Sequence, residues 1–427
     1  MDIEKKSNLR AWLTVLGCGM LISGSVTFYT VVIGNFFVPA SEALGSDYSS
    51  ISLYSTLVYI GIACGLPFVG NWLPKIPPLG IAGFAALQSL VVAALSFSQS
   101  VTWWWIGGFL IGVGMAFTSI VFISTVLTNW FAKKTGLAIG LAWALASVVS
   151  AIMSPVTVSL MEMMDWRASL LVFAIVGAVL AVPAALLLVS YSPEKKGLKP
   201  YGSEAAAAGE AVTESGVPAK RAVRSAAFAL VALALALTQI VSVINAYFPM
   251  YAESVSFAPT VGAFMISVAL MFDIALNPIV GWTIDKFGAI KAFVAWSCVG
   301  ILSMLILLAS AGNEIMAYLG AGLGDTLYVL LGVGIASVAS TVFGTKDYGK
   351  IFAYITIFGF AAGSVGGFII ASLYESTGSF EVVFMFCIVT IVVIMLAVIG
   401  AGISGKKLAR ESAAADASAE EGATNQR

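Results

Sequence analysis

Histidine is absent from the 427-residue chain, and charged residues make up only 10% of it. Without an imidazole, a Ser-His catalytic triad, a histidine-ligated zinc site and an imidazole proton relay are excluded. Soluble domains carry about 25% charged residues, so a chain with this little charge and 60% hydrophobic residues cannot cover a water-facing surface. We therefore expect an integral membrane protein whose proton chemistry uses carboxylates, tyrosines or water.

Paired cysteines, phosphate-binding loops and a global basic charge are missing as well. The net charge is -1 and the 4 cysteines contain no C-x-x-C pair, so neither nucleic-acid binding nor a thiolate metal site is expected. No G-x-G-x-x-G or Walker-type loop follows a strand, which excludes an ATP-driven pump unless another subunit supplies the ATPase. We expect no cofactor and no metal.

What the chain does contain is a series of long apolar runs between charged or Gly/Pro-rich breaks. A hydrocarbon core of ~30 Å needs ~20 apolar residues per helix, and twelve such runs fit the length of the chain. The pattern therefore indicates an all-α membrane protein. Its helices are predicted near residues 11–38, 51–71, 78–98, 102–128, 135–161, 168–191, 225–252, 259–283, 288–310, 314–341, 349–373 and 380–403.

Composition divides these helices into two bundles of six. Residues 1–191 are predicted to form the N-terminal bundle and residues 225–403 the C-terminal bundle. Between them, residues 192–224 are rich in Ala, Gly, Glu, Lys and Ser, which predicts a mobile cytoplasmic linker. Residues 404–427 have a similar composition and are predicted to be a disordered cytoplasmic tail.

Lysine and arginine are distributed asymmetrically among the connections. With the N-terminus inside, 20 of the 21 basic residues fall in cytoplasmic segments and only Arg167 falls outside. Positive residues near span ends are retained in the cytoplasm, so both termini and the linker are predicted to be cytoplasmic. We expect a multi-pass monomer in the lipid bilayer of the cytoplasmic (inner) membrane.

Two short patterns recur at almost the same separation in the two bundles. An N-x-aromatic-x-P pattern begins at Asn35 in the first helix and at Asn245 in the seventh, 210 positions later. A P-x-V-G pattern begins at Pro67 and again at Pro278, 211 positions later. Two bundles of six helices with equal orientation indicate parallel repeats related by an axis along the membrane normal.

The second copy of P-x-V-G runs into a charged loop, residues 281–288, that resembles the loop motif of the major facilitator superfamily. The motif positions are Gly281, Asp285, Lys286, Gly288 and Lys291. The resemblance covers about residues 11–403 and implies two six-helix bundles with pseudo-symmetry. It also implies a latch, in which the loop carboxylate meets the N-terminus of a neighbouring helix and is stabilised by the helix dipole. The N-terminal copy has Pro74 at the acidic position, which supplies no carboxylate for a latch.

Four further segments resemble the oxalate/formate antiporter and monocarboxylate transporter branch of that superfamily. They are residues 130–140, 165–167, 193–202 and 343–349. The branch implies an organic carboxylate as a candidate solute, although these segments belong to the scaffold and do not identify it.

The eighth predicted helix carries the most informative position. In monocarboxylate transporters the similar stretch has an acidic residue and, four positions later, an arginine that can receive a substrate carboxylate. Here Asp273 is kept, but Asn277 occupies the arginine position. Because an amide supplies hydrogen bonds without positive charge, recognition of a carboxylate loses its main electrostatic support. A carboxylate at mid-membrane is costly and by default signals function, so Asp273 is predicted to couple protons or bind substrate, the alternative being a structural hydrogen bond.

Other polar residues in the predicted spans are candidates with a structural alternative. Asp325 lies near the outer end of its helix and could instead cap it or reach water. Asn35 and Asn245 could hold a polar ligand from both halves, or make interhelical hydrogen bonds worth under ~1 kcal/mol. A Tyr or Trp in a helix is more often a packing or interface residue than a ligand contact. With that alternative, the further candidates for substrate binding are Tyr29, Gln239, Tyr328, Tyr354 and Trp143.

Together these features predict a secondary transporter that works by alternating access and is not an enzyme. We expect it to move a small organic solute by proton symport or by exchange with a counter-solute. A monocarboxylate or dicarboxylate is implied by the resemblance, and a neutral or cationic solute is the alternative favoured by the missing arginine. A non-transporting membrane sensor would need a folded partner domain, and neither the linker nor the tail has the apolar content for one.

Overall fold

The computed structural model describes residues 2–203 and 216–424. Within them, twelve helices are long and apolar enough to cross a membrane, so the predicted all-α fold with twelve spans is confirmed. The spans are α1 (Lys6–Leu44), α2 (Ser50–Trp72), α3 (Pro78–Leu95), α4 (Val101–Trp130), α5 (Thr135–Met163), α6 (Trp166–Leu188), α7 (Ala226–Ser254), α8 (Thr260–Phe287), α9 (Ala289–Leu308), α10 (Glu314–Phe343), α11 (Tyr348–Thr377) and α12 (Phe380–Ser412).

Four of the spans lie at the centre of the protein. The apolar stretches of α1, α4, α7 and α10 are 61–78% buried, whereas those of the other eight spans are 33–50% buried. The outward surfaces of the other spans carry exposed apolar side chains such as Leu79 and Phe368, 72% and 76% exposed. Since lipid is as apolar as these side chains, the burial pattern separates an inner ring of helices from an outer ring that faces the bilayer.

The central spans are not regular helices. A 3-10 segment interrupts α1 at Val32–Phe36 and α7 at Val243–Tyr247, so the two asparagines of the repeat lie in matching distortions. The α-helical hydrogen bonding of α4 breaks at residues 117–119 and that of α10 at Asp325. Irregular backbone at membrane depth is tolerated only inside protein or beside a water-filled cavity, and these breaks lie in the four most buried spans.

The two halves meet tightly at the face that carries both termini, here called the terminal face. There the end of α8 packs on the start of α5, and a Cβ on Gly136 would lie 2.6 Å from the carbonyl oxygen of Gly281. Similarly, a Cβ on Gly70 at the end of α2 would lie 2.7 Å from the Cα of Lys350 in α11. Glycine at these positions lets the backbones approach closely enough to close the terminal face.

Both ends of the predicted linker make hydrogen bonds with the helix bundles, whereas composition predicts a mobile segment there. Tyr201 donates from its backbone N–H to the Trp130 carbonyl at 2.8 Å, and Ser7 donates to the Lys199 carbonyl at 2.8 Å. On the C-terminal side, Val217 donates to the Phe343 carbonyl at 2.9 Å. These hydrogen bonds replace water as the partner of the backbone, which composition alone could not predict. Residues 204–215 of the linker lie outside the described residues.

The tail also differs from the expectation of disorder after residue 403. The helix that begins at Phe380 continues to Thr424, well past the membrane-spanning part. Ala, Glu and Lys, which are frequent in residues 404–424, are among the strongest helix formers. The same small and charged composition that cannot form a core therefore still supports a helix.

Candidate functional site

A cavity lies between the two halves at mid-membrane. The empty space in this region, including the open mouth of the cavity, is about 820 Å³. Four spans of each half contribute to its lining. Among the described residues, the N-terminal spans α1, α2, α4 and α5 contribute Val26, Thr30, Tyr59, Ile62, Ser119, Ile120 and Trp143. The C-terminal spans α7, α8, α10 and α11 contribute Leu235, Gln239, Asp273, Asn277, Tyr328, Leu331, Gly332, Thr356, Gly359 and Phe360. Each half therefore supplies one wall.

Charge in the cavity comes from one residue of α8. Asp273, 5% exposed, is the one Asp, Glu, Lys or Arg among the lining residues, and no basic side chain balances it there. Asn277 one turn later donates to the Asp273 Oδ1 at 2.8 Å and to the Asp273 carbonyl at 2.9 Å. Asn277 thus binds the carboxylate of its own helix.

The second carboxylate oxygen of Asp273 is bound from the opposite half. Ser147 of α5 donates from its hydroxyl to the Asp273 Oδ2. The same hydroxyl oxygen lies 3.1 Å from the Trp143 carbonyl of its own helix. This contact crosses the interface between the halves, so it exists only while α5 and α8 are close.

Asp325 lies at the break in α10. Its side chain is buried, 4% exposed, and Asn245 of α7 donates to its Oδ1 at 3.0 Å. The Asp325 Oδ2 accepts no hydrogen bond from any described residue. The structure therefore brings together two predicted residues, Asp325 and Asn245, that are 80 positions apart in sequence.

Other predicted candidates are distributed between the cavity and the core. Trp143, Gln239 and Tyr328 line the cavity. Tyr29 lies in the core of the N-terminal half, with its hydroxyl 2.7 Å from that of Ser89. Tyr354 packs partly buried against the same core.

Asn35 makes the interhelical hydrogen bonds that were the structural alternative for it. Its amide donates to the Ser154 hydroxyl at 3.1 Å and to the Thr157 hydroxyl at 2.9 Å, both on α5 of its own half. The two asparagines of the repeat therefore bind different partners, hydroxyl groups in one half and a carboxyl group in the other.

Sequence reasoning missed several residues of the cavity. Tyr59 and Phe360 face each other across the two halves with ring centroids 5.7 Å apart. The Ser119 hydroxyl and the Trp143 Nε1 are buried and have no hydrogen-bond partner among the described residues. Buried polar groups are normally paired, so these two are available to a ligand or to water. Trp143 was among the predicted candidates, whereas no signal in the sequence distinguishes Ser119, Tyr59 and Phe360, because serines and aromatic residues are common in membrane helices.

The predicted latch residues lie at the terminal face. The Asp285 carboxylate accepts hydrogen bonds from the backbone N–H groups of Gly136 at 2.8 Å and Leu137 at 2.7 Å, in the first turn of α5. Gly288 has φ +87°, and Lys286 lies over the Trp282 ring at 4.7 Å. Gly281 makes the close approach described above, while Lys291 is exposed. The carboxylate thus ties the C-terminal half to a helix N-terminus of the other half, where the dipole stabilises it.

Comparisons with known proteins agree with this architecture. The family model described as Major Facilitator Superfamily matches residues 15–345. Monocarboxylate transporter 12-B of Danio rerio is 26% identical over 298 residues, which are 64% of this chain and 62% of that protein. The match therefore spans less than two thirds of the relative's own length.

Two solved structures have the same fold. A crystal structure of the Major Facilitator Superfamily transporter FucP in the outward conformation gives a TM-score of 0.65 at 14% identity, covering 92% of this chain and 98% of that one. A double-tryptophan mutant of XylE gives a TM-score of 0.71 at 14% identity, covering 96% and 99%. At this identity the likeness supports the fold alone.

Proposed function

The chain belongs to the Major Facilitator Superfamily, and from that premise we propose that it carries a small organic solute by alternating access with proton coupling. The solute binds in the cavity between the halves, and Asp273 takes part in coupling. The observation that carries this proposal is a cavity lined from both halves by aromatic rings and one carboxyl group, with no basic residue among its lining.

Contacts between the two halves close the terminal face, which supports an outward-facing state of the transporter. The glycine contacts between α5 and α8 and between α2 and α11 lie on that side of the cavity, and the Asp285 hydrogen bonds hold it closed. Rocking of the two halves would break these contacts and expose the cavity to the terminal face. The asymmetry of basic residues supports a cytoplasmic location for that face in the inner membrane.

The charge of the cavity favours a neutral or cationic solute. An anion placed near Asp273 would meet a like charge in a medium where electrostatic interactions are strong. The rings of Tyr59, Trp143, Tyr328 and Phe360 line the same space, and aromatic faces attract organic cations and cover apolar groups. The free Nε1–H of Trp143 adds a donor for one acceptor group of the solute.

Transport by the purified protein in liposomes would test this proposal. We expect uptake of labelled amines or neutral amphipathic solutes that depends on an imposed pH gradient, tested with both polarities of the gradient. Trp143→Phe keeps the ring and removes the Nε1–H donor, so it should weaken binding of the transported solute without abolishing folding. Uptake restricted to anions, or uptake indifferent to the pH gradient, would contradict the proposal.

A monocarboxylate is the second candidate, favoured by the printed name of the Danio rerio relative. In this cavity it would bind as the undissociated acid, because no basic side chain is available to the anion. Under this alternative, Asn277→Arg should increase carboxylate uptake by supplying the missing charge, whereas under the first proposal it should abolish uptake of cations. The same variant therefore distinguishes the two.

A further inference from the structure

We propose that the cavity binds a dipolar solute, an amine that also carries an acceptor oxygen of a carboxylate or an amide. The cationic end binds Asp273 in the wall from the C-terminal half, and the acceptor oxygen binds at the break of α4 in the wall from the N-terminal half. Binding of such a solute follows from the chemistry of the two walls, whereas its transport rests on the proposed function.

The break in α4 places the start of a helix in the wall from the N-terminal half. After residues 117–119, α-helix resumes as Ile120–Trp130, and Ser119 and Ile120 both line the cavity. The α-helical hydrogen bonds of this segment begin with that from the Ile123 N–H to the Ser119 carbonyl, at 3.1 Å. The N–H groups before it have no acceptor within the helix, and the helix dipole adds partial positive charge. An acceptor oxygen or an anion is therefore favoured at this end.

Ser119 occupies the N-cap position of this segment and leaves its hydroxyl unused. Its backbone is extended, with φ -93° and ψ -157°, and its side chain makes no capping hydrogen bond. The residue is 2% exposed, and its hydroxyl has no hydrogen-bond partner among the described residues. A serine inside a regular helix can donate to the carbonyl four positions earlier, as Ser25 does to Leu21 at 2.7 Å. Ser119 lacks that bond, so its hydroxyl is left for a group inside the cavity.

A second free donor lies between the two walls. The Trp143 Nε1 is buried and finds no acceptor in the part of the chain that the structure describes. A Cβ on Gly332 of α10 would lie 3.5 Å from this nitrogen, so the indole of the N-terminal half reaches the opposite wall. Because an indole N–H only donates, it too selects a solute with an acceptor.

The start of α5 shows what a helix start of this kind attracts. There the Asp285 carboxylate accepts hydrogen bonds from the N–H groups of Gly136 and Leu137. The Ile120–Trp130 segment has no acidic residue in its first turn, so its own sequence supplies no anion. A solute oxygen in the cavity can take that place.

The wall from the C-terminal half supplies the opposite charge. A carboxylate can accept about four hydrogen bonds, and Asn277 and Ser147 use one position on each oxygen of Asp273. Lone pairs therefore remain for a cationic N–H group. Since the described lining includes no lysine or arginine, the acceptor end is received by N–H and O–H donors. A solute with both ends pairs both walls, whereas a solute with one end leaves polar groups unpaired, which is costly.

Four probes that share a phenylethyl skeleton can test the two ends separately. Phenethylamine has only the cation, hydrocinnamate only the carboxylate, phenylalanine both, and phenylalanine amide the cation with a neutral acceptor. Their affinities for the purified full chain can be measured by thermal stabilisation at mildly acidic pH, where the amines are protonated and the carboxylates ionised. We expect phenylalanine and its amide to bind roughly tenfold more tightly than phenethylamine, the scale of one or two added hydrogen bonds, and hydrocinnamate to bind most weakly. The tighter of the two dipolar probes identifies the acceptor as charged or neutral.

Variants of each wall should affect different probes. Ser119→Ala should remove most of the advantage of the dipolar probes and leave the affinity for phenethylamine almost unchanged. Ser124→Ala is the control, since Ser124 is buried in the same segment of α4 but does not line the cavity. Asp273→Asn should weaken the three amines and not hydrocinnamate.

Several results would overturn the dipolar site. They are equal affinities for phenethylamine and the dipolar probes, binding by none of the four probes, and an effect of Ser119→Ala that is the same for all of them. If the probes bind as expected but no pH gradient drives their uptake into liposomes, the proposed function fails and the binding site stands.

Discussion

The two halves place different chemistry at matching positions. Asp273 and Ile62 both line the cavity and are 211 positions apart, the same separation as Pro67 and Pro278. Asp273 binds Asn277 and Ser147, whereas Ile62 presents an apolar side chain. The carboxyl group that lines the cavity therefore belongs to the C-terminal half, while the N-terminal half contributes rings and hydroxyl groups.

Removing the carboxylate of Asp273, the charged residue that the C-terminal half places in the cavity lining, should have the largest effect. Asp273→Asn should reduce pH-gradient-driven transport by roughly 100-fold or more, the scale of losing a proton-transferring group. Solute exchange at equal pH should persist, because the cavity keeps its shape. Flux measurements in both modes check this result. Adding Ile62→Asp to that variant should not restore coupling, since the N-terminal position lacks the Asn277 and Ser147 partners; restored coupling would show that the halves are interchangeable.

A bulky side chain introduced between α5 and α8 should have the next largest effect. Gly140→Leu places a side chain against the Asn277 backbone, and overpacking of this kind costs about 2–3 kcal/mol, roughly thirtyfold or more in an equilibrium. The population should shift toward an open terminal face.

The readout is maleimide labelling of Thr125→Cys, a buried position near Gly349 at that face, in a background without native cysteines. Gly83→Leu is the control, since no atom lies within 4 Å of its added Cβ. Equal labelling of both variants would show that the α5–α8 contact does not close this face.

Breaking the Asp285 contact should give a smaller shift in the same direction. Asp285→Asn removes the charge that strengthens two hydrogen bonds to backbone N–H groups, a loss of about 1.5 kcal/mol or roughly tenfold in the equilibrium. Labelling of Thr125→Cys should rise accordingly. The reciprocal variant Pro74→Asp tests the N-terminal copy, where we expect labelling within twofold of wild type; a strong decrease would reveal a second latch site.

Replacing the two asparagines of the repeat should have the smallest effects, and the effects should differ between the two positions. Asn35→Ala and Asn245→Ala should each cost up to about 1 kcal/mol of stability, as interhelical hydrogen bonds in membranes do. Thermal unfolding measures this loss. Only Asn245→Ala should also change the pH dependence of transport, because it frees Asp325. A change of pH dependence in Asn35→Ala would contradict the division of chemistry between the halves.

Much of the fold follows from local features of the sequence. Long apolar runs predict twelve spans because the bilayer excludes unpaired backbone groups, and the repeats near Asn35 and Asn245 predict two related halves. Asp273 was identified because a carboxyl group at membrane depth is costly. The anchoring of Lys199 and Tyr201 was not predictable, since composition does not report the backbone hydrogen bonds that a segment makes with distant loops.

The site was only partly predictable for a similar reason. Asp325 and Asn245 are 80 positions apart, and no spacing rule within one helix could pair them. Ser147, Ser119 and Tyr59 belong to residue types that are frequent in membrane helices. The sequence therefore does not predict that these three residues lie beside the cavity.

The sequence by itself determined that this chain spans a membrane with twelve helices in two related halves and holds carboxyl groups without deep basic partners. Those properties depend on composition and periodicity, which act locally along the chain. Only the tertiary structure decided that Asn245 binds Asp325 and that a serine from the other half binds Asp273. Contacts across helices depend on how the bundles pack, and the packing depends on distances in space rather than on position along the chain.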